Sequence, residues 1–471
     1  MRQATFGITP ASPGSVTRQG SKRVWTRYAA AAVVLGFYLS LPDLPRVPAS
    51  VRSIFATSAN TTTPNPDMST ALHAEQATSA SDFVDSIGVQ THISYVDTPY
   101  ANWPRVFEEL LRLGVHHIRD ALPLTPSFVD RHRQLAASGL RCTCGFGFDK
   151  SLTAPTIVEA ARAASDVEAL EAPNECDVGT NCGGGGNLGI RNVTASLPAL
   201  ARAAHELQVP LIGPSFTTRE AYASAGSITQ WITYNNLHIY FGGRNPGTEG
   251  WGAGDAQGHR YGSFDWWLDQ GKLDAPGRPS EITETGYESF DHPARSGSVP
   301  VDVESSYLLR TLLLAWNHGV NRTFVYELLD EFPDTGYGLL RRDLTEKPAF
   351  TALRNLLSIL KDSSRLKRTG RLMLSIDMKD PSLSHALFAK ADGSYDLILW
   401  LERSRYSADT RTVSPVLSEP ALLRLETGFG VDQIVSFNDD GSTQNRVLST
   451  KPSLLTVDVN DRLTVMHIVE H

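Results

Sequence analysis

Between residues 85 and 365, short apolar runs with strand character alternate with amphipathic helical stretches, and the pair recurs eight times. That order confines the chain to a parallel sheet covered by helices. The first unit is the plainest: 87–90 (Ile-Gly-Val-Gln) reads as a strand, and Trp103, Val106, Phe107, Leu110 and Leu111 then recur at helical spacing between Asn102 and Gly114. Further strands are expected at 115–119, 141–146, 167–172, 209–213, 236–240, 281–283 and 323–326. Helices are expected at 128–137, 155–164, 195–207, 219–224, around Trp266 and Trp267, at 304–318 and at 348–360. Eight units suit a closed (β/α)8 TIM barrel of roughly 250 residues better than an open doubly wound sheet. An open dinucleotide-binding sheet would want a glycine fingerprint after the first strand, and none stands there. The glycine cluster 183–186 lacks the Gly-Lys-Ser/Thr ending of a phosphate cradle and reads as a loop.

The pattern changes on both sides of this stretch. Beyond Ser363 the period becomes two, with strands expected at 372–376, 386–390, 395–402, 421–425, 433–437, 454–459 and 463–469 separated by turn residues. These make an antiparallel β-sandwich over 366–471, read as structural, with carbohydrate binding as a lesser option. At the other end, Arg2, Arg18, Lys22, Arg23 and Arg27 precede the apolar run 28–41 with no acidic residue among them. A helix over that run spans about 21 Å, short of the ~30 Å hydrocarbon core, so 1–49 is expected to be a signal peptide or an N-terminal anchor, and the protein to be exported. Residues 50–81, rich in Ser, Thr, Pro and Ala, are expected to be a flexible linker, and 82–365 the barrel. With 43 basic and 51 acidic residues the net charge is −8, which offers no field for nucleic acid, and membrane contact is expected only through the anchor.

Barrels of this kind carry their chemistry at the C-terminal ends of the strands. Strand four ends in EAPNECD and strand seven in EITETGYES, placing Asn174, Glu175 and Glu284 at that mouth. The interval of 284 − 175 = 109 residues equals three strand–helix units, so the two glutamates face each other across the barrel. Either one alone is ordinarily a solvated loop charge. Together they are what glycosidic cleavage with retention needs: one attacks the anomeric carbon while the other, protonated at the start, releases the leaving oxygen.

The APNE run at strand four, HIY at strand six and ITETG at strand seven resemble clan A of the retaining glycoside hydrolases, the superfamily of the family 5 cellulases and the family 39 xylosidases and iduronidases. The resemblance covers about residues 85–360. It implies that Glu175 is the acid/base, Glu284 the nucleophile and Asn174 a contact to the substrate 2-hydroxyl. It matches the clan's strand-two arginine to Arg119 in HHIRD and its strand-six pair to His238 and Tyr240. The chain departs from the clan at Cys176, where proline or glycine often follows Asn-Glu, and at Tyr326-Glu327, where many members carry tryptophan.

Sugar rings present apolar C–H faces, so aromatic platforms are expected on the loops after the strands. Trp251 is the leading candidate, in the long glycine-rich loop after strand six, with Tyr95, Phe148, Tyr287 and Phe290 as others. Cys142 and Cys144 are read as free buried thiols, poorly placed to bridge each other, whereas Cys176 and Cys182 flank a loop and could close beside Glu175. A zinc site lacks the usual CxxC spacing, and no cofactor or metal is expected. The expectation is an exported retaining β-glycoside hydrolase acting on a polysaccharide or glycoconjugate. Its rival is a non-catalytic carbohydrate-binding or envelope-assembly protein on a degenerate barrel.

Overall fold

The computed structural model describes residues 71–122, 125–145, 153–293, 295–362 and 368–471. The expected leader at 1–49, most of the expected linker and Phe148 lie outside the described residues. Among the described residues no helix is long and apolar enough to cross a membrane.

Eight parallel strands form the barrel: β1 (Ile87–Gln90), β2 (His117–Ala121), β3 (Arg141–Gly145), β4 (Val167–Glu171), β5 (Leu211–Ile212), β6 (Asn235–Ile239), β7 (Ser280–Thr285) and β8 (Thr323–Val325). Their hydrogen-bonded order is β5-β4-β3-β2-β1-β8-β7-β6. A parallel bridge between Ile212 and Tyr234 joins β5 to β6 and closes the ring. β5 is shorter than its sequence suggests because Pro210 and Pro214 flank it and neither has an N–H to give the ladder. Inside the barrel Gly88 makes room for Phe324 on the neighbouring strand, since a Cβ at 88 would stand 2.4 Å from that ring.

The helices Trp103–Leu113, Pro126–Ala137, Ala154–Ala164, Arg219–Ala225, Phe264–Asp274, Val301–Asn317 and Pro348–Leu360 fall close to their expected positions. Thr153, Thr218 and Ser263 cap three of them by accepting a backbone N–H with their hydroxyls. The helix Gly186–Leu207 starts nine residues before the expected 195. Ile190, Val193, Leu197, Leu200, Ala203 and Ala204 make one buried stripe at helical spacing, and the glycines at its head hid the start.

The sandwich is built from the antiparallel strands Gly370–Asp377, Leu383–Ala389, Tyr395–Leu401, Glu419–Leu425, Phe429–Phe437, Thr443–Val447, Leu454–Val459 and Thr464–Glu470. Its two layers are joined by a strand from the other end of the chain. His73–Ser79 pairs antiparallel with Gly370–Asp377, and its last residues pair parallel with Leu383–Ala389. The expectation of a flexible linker reaching to 81 is therefore corrected at its end: His73–Ser79 is a strand of the sandwich, and the helix Ala80–Asp85 leads on into the barrel. The strand escaped notice because only Ala77 and Ser79 of HAEQATS are buried, side chains too small to mark a hydrophobic alternation.

Barrel and sandwich share a core. Phe388, Ile398, Trp400, Phe437 and Val465 pack in one cluster with the barrel's apolar residues, while Leu372, Leu397, Leu423, Val459 and Ile468 belong to a second cluster within the sandwich. Both cysteine pairs are joined, which corrects the reading of Cys142 and Cys144 as free thiols. The Cα atoms of Cys142 and Cys144 stand 5.4 Å apart, inside bridging range.

Burial pushes the carboxyl of Asp274, the last residue of its helix, up to about 8, against the opposing pull of the Asp274 and Ala275 amides. A folded-state value raised above the unfolded one means the folded chain keeps a proton that the unfolded chain releases, so stability falls as pH rises from about 4 to about 8. Urea unfolding of Asp274→Asn is expected to show a shallower decline over that window, by up to ~1.4 kcal/mol per pH unit. An unchanged slope would contradict the assignment.

Candidate active site

The mouth is assembled from strand ends. Asn236, His238 and Tyr240 alternate along β6 and just beyond it, so all three point inward. In β7 a register shift pairs Leu237 with Ile282 but His238 with Glu284, and the extra residue lets both Thr283 and Glu284 face the interior. Gly286 follows because a Cβ there would stand 2.2 Å from the Tyr326 carbonyl, so only glycine lets the ends of β7 and β8 converge.

Arg119 on β2 lies at the centre with its side chain 8% exposed. Its guanidinium donates to Glu171 through Nε at 2.6 Å and Nη2 at 2.8 Å, and to Glu284 through Nη1 at 2.6 Å. It also donates to Gln90 at 2.7 Å and to Asn174 at 2.9 Å. Asn236 donates to Glu171 at 2.9 Å, and Thr283 bonds Asn236 at 2.7 Å. The Tyr240 hydroxyl donates to the second oxygen of Glu284 at 3.0 Å. His238 joins the two glutamates: its Nδ1 stands 2.9 Å from Glu175 Oε1 and 3.4 Å from Glu284 Oε2, while Nε2 meets the Thr283 hydroxyl at 3.0 Å. Ligand atoms of Glu175, His238 and Glu284 all lie within 4.8 Å of one another.

These contacts set the charges. Burial raises the Glu284 carboxyl, but His238, the Arg119 guanidinium and the hydrogen bonds from Arg119 and Tyr240 outweigh it and hold the group below the ordinary glutamate value. Burial pulls the His238 imidazole down, and Glu284 and Glu175 more than reverse this. Burial and the Glu284 charge push Tyr240 well above a free phenol, so its proton stays available for donation. Three such closely set ligand atoms have the spacing for a cation, yet the charges of Arg119 and His238 beside Glu284 oppose one.

Glu175 adopts φ 43°, a left-handed conformation unusual for glutamate. Its carbonyl accepts from the Val178 N–H and from Asn181 Nδ2, both at 3.1 Å, its own N–H reaches Ser215 Oγ at 3.3 Å, and the Cys176–Cys182 bridge closes the turn that follows.

Six of the seven residues expected at the site thus meet: Glu175, Glu284, Asn174, Arg119, His238 and Tyr240. Trp251 is not part of that network. Its ring packs on Gly262, where a Cβ would stand 2.2 Å from it, against Tyr261, with the Arg244 guanidinium 4.5 Å above. Tyr287 is buried and donates to the Arg244 carbonyl at 3.0 Å, and Tyr95 stacks on His92 at 4.7 Å.

The sequence reading missed Glu171, Gln90, Asn236 and Thr283, and also a second cluster at the ends of β1 and β8. There His92 bonds Glu331 and stands 3.2 Å from Glu327, beside Tyr326 and Tyr337. Burial pushes Glu327 up to about 8, opposed by its His92 contact. The one available signal was polarity inside strand-like runs, as in Glu171 closing Val-Glu-Ala-Leu-Glu.

No family model matches the sequence, and no curated protein does. Several solved structures share the fold of this chain at low sequence identity. The chain is similar to the catalytic domain of a family 30 xylanase C from Talaromyces cellulolyticus, with a TM-score of 0.53 and 10% identity over 84% of this chain and 100% of that one. A monomeric β-xylosidase from Caulobacter crescentus gives 0.52 and 13% over 83% and 97%. A 4-O-α-L-rhamnosyl-β-D-glucuronidase from Fusarium oxysporum gives 0.50 and 12% over 83% and 97%.

Removing the guanidinium would leave Glu171 and Glu284 buried without their cation. Arg119→Ala is expected to lower stability at pH 7 by about 3–5 kcal/mol. The loss should shrink as pH falls below the unfolded carboxyl value: the stability that Glu284 draws from Arg119 is present above that value and disappears below the depressed folded one. Chemical unfolding at pH 7 and at about pH 3 measures both, and a penalty independent of pH would contradict the assignment.

Proposed function

We propose that the protein is a retaining β-glycoside hydrolase that cleaves O-glycosidic bonds of an extracytoplasmic polysaccharide or glycoconjugate by double displacement. The observation that carries this reading is the closeness of Glu175 and Glu284, one carboxylate oxygen of each lying within 4.8 Å of the other. Retaining enzymes hold their two carboxyl groups about 5–5.5 Å apart, whereas inverting enzymes leave about 6.5–9.5 Å for a water.

Glu284, ionised and aimed by Arg119 and Tyr240, attacks the anomeric carbon. Glu175 gives its proton to the departing oxygen, and the glycosyl–Glu284 ester forms as the glycosidic bond breaks. Glu175, now a carboxylate, takes a proton from water, whose oxygen attacks the same carbon, and Glu284 leaves as a carboxylate. His238 Nδ1, 2.9 Å from Glu175 Oε1, orients the carboxyl that gives up the proton. Asn174 has its oxygen engaged by Arg119 and Ser215, so its amide nitrogen is the end that can meet a sugar hydroxyl. His92, Glu327 and Glu331 form a further cluster of donors and acceptors at the ends of β1 and β8.

Export is the part of this reading that rests on sequence alone, on the basic and apolar segment at 1–49. The solved structures of similar fold include enzymes named as a xylanase, a β-xylosidase and a 4-O-α-L-rhamnosyl-β-D-glucuronidase, which supports a β-glycoside as the substrate class.

The two roles separate chemically. On aryl β-glycosides, Glu284→Ala is expected to abolish turnover and to regain it with azide, giving the α-glycosyl azide. Glu175→Ala is expected to lose roughly 10²–10⁴-fold on poor leaving groups, less on good ones, and to give the β-glycosyl azide. Azide products of the opposite stereochemistry would reverse the assignments, and absence of turnover by the wild-type chain on every sugar would favour a carbohydrate-binding protein.

A further inference from the structure

Glu402 closes the sandwich strand Tyr395–Leu401, yet its carboxylate serves the barrel. Oε1 accepts from Asn245 Nδ2 at 3.2 Å, from the Gly247 N–H at 3.1 Å and from the Arg310 guanidinium, while Oε2 accepts from the Trp400 indole at 2.8 Å. Arg310, in the helix between β7 and β8, is completely buried. Asn245 and Gly247 belong to the loop after β6, a few residues beyond Tyr240.

Gly247 gives independent support. A Cβ there would stand 2.0 Å from Glu402 Cγ and 2.6 Å from Cδ, and its φ lies outside the left-handed region. The backbone does not require glycine at 247; the Glu402 side chain does. The same loop is tied to β7, since the Arg244 carbonyl accepts from Tyr287, three residues after Glu284. The sandwich segment after Glu402 grips the adjoining helix as well, where the Tyr307 hydroxyl accepts from the Arg405 and Tyr406 amides at 3.1 Å each.

We propose that Glu402 is a positioning residue supplied by the sandwich to the active site: through Asn245 and Gly247 it fixes the loop after β6 against the end of β7, and so holds Tyr240 and Glu284 in bonding register. This rests on the glycosidase reading above. It gives the sandwich a part in catalysis without contact with the substrate.

The test compares wild type, Gly247→Ala, Glu402→Ala and the double variant, each well below its melting temperature. It reads kcat, KM and the pH profile on an aryl β-glycoside, with hydrogen exchange over 236–247 and 282–290 in parallel. Gly247→Ala is expected to lower kcat about tenfold with KM changed by less than about twofold, because small misplacements of reacting groups cost rate. The acid limb of kcat/KM should move to higher pH as the Tyr240 bond to Glu284 loosens, and exchange should rise in both segments. The double variant should be no worse than Glu402→Ala, since the clashing partner is gone.

A merely structural role would lower the melting temperature and leave kcat, the acid limb and the exchange unchanged; that result in Gly247→Ala overturns the proposal, as do simply additive effects in the double variant. Should Glu402→Ala fail to fold with Arg310 left unpaired, Asn245→Ala spares that ion pair and is expected to lower kcat by about threefold. Unaltered kcat and exchange there would equally overturn the proposal. If the wild-type chain turns over no sugar, the glycosidase reading fails by itself, and exchange at 282–290 in Gly247→Ala decides the positioning.

Discussion

The fork of Arg119 is the interaction on which the rest of the site depends. A guanidinium offers five donors in one rigid plane. Here that plane reaches the ends of β1, β4 and β7 from β2, through Gln90, Glu171 with Asn174, and Glu284. One cation between two buried carboxylates fixes the spacing of strands that are distant in the ring and favours the ionised form of Glu284. A lysine could supply the charge but not the five directions. Because these dipoles are held before substrate arrives, little reorganisation is left for the moment of reaction.

The same logic extends outward through the shared core of barrel and sandwich. The chain begins its described course in the sandwich at His73, passes through the whole barrel and returns at Gly370, so neither part is a detachable module. At their junction the buried Arg310 would be costly without Glu402, and Glu402 in turn has room only because residue 247 is glycine. A charge pair that secures the joint thereby also secures a loop of the mouth.

Much of the barrel was legible because its strands and helices differ in period, and the strand ends carry polar residues where apolar ones precede them. Glu175 and Glu284 stood out for that reason, as did Arg119, His238 and Tyr240 once the motifs around them resembled a known clan. Glu171 did not, because its role depends on accepting from Arg119 across the barrel, a relation with no local trace. The strand His73–Ser79 was hidden by its small and polar residues, and the pairing of Cys142 with Cys144 by a Cα separation of 5.4 Å that their spacing in the sequence does not announce. Trp251, chosen for its aromatic ring on a long loop, serves in the structure to pack that loop on Gly262. Composition marks a side chain's capacity, whereas the partner that uses it is set by the fold.

The central claim is that Glu284 and Glu175 act in succession on one anomeric carbon through a covalent intermediate. The most direct measurement is proton NMR of the sugar first released from a β-glycoside, recorded before mutarotation. Release of the β-anomer is the predicted result. Release of the α-anomer would mean a single displacement by water and would contradict the account.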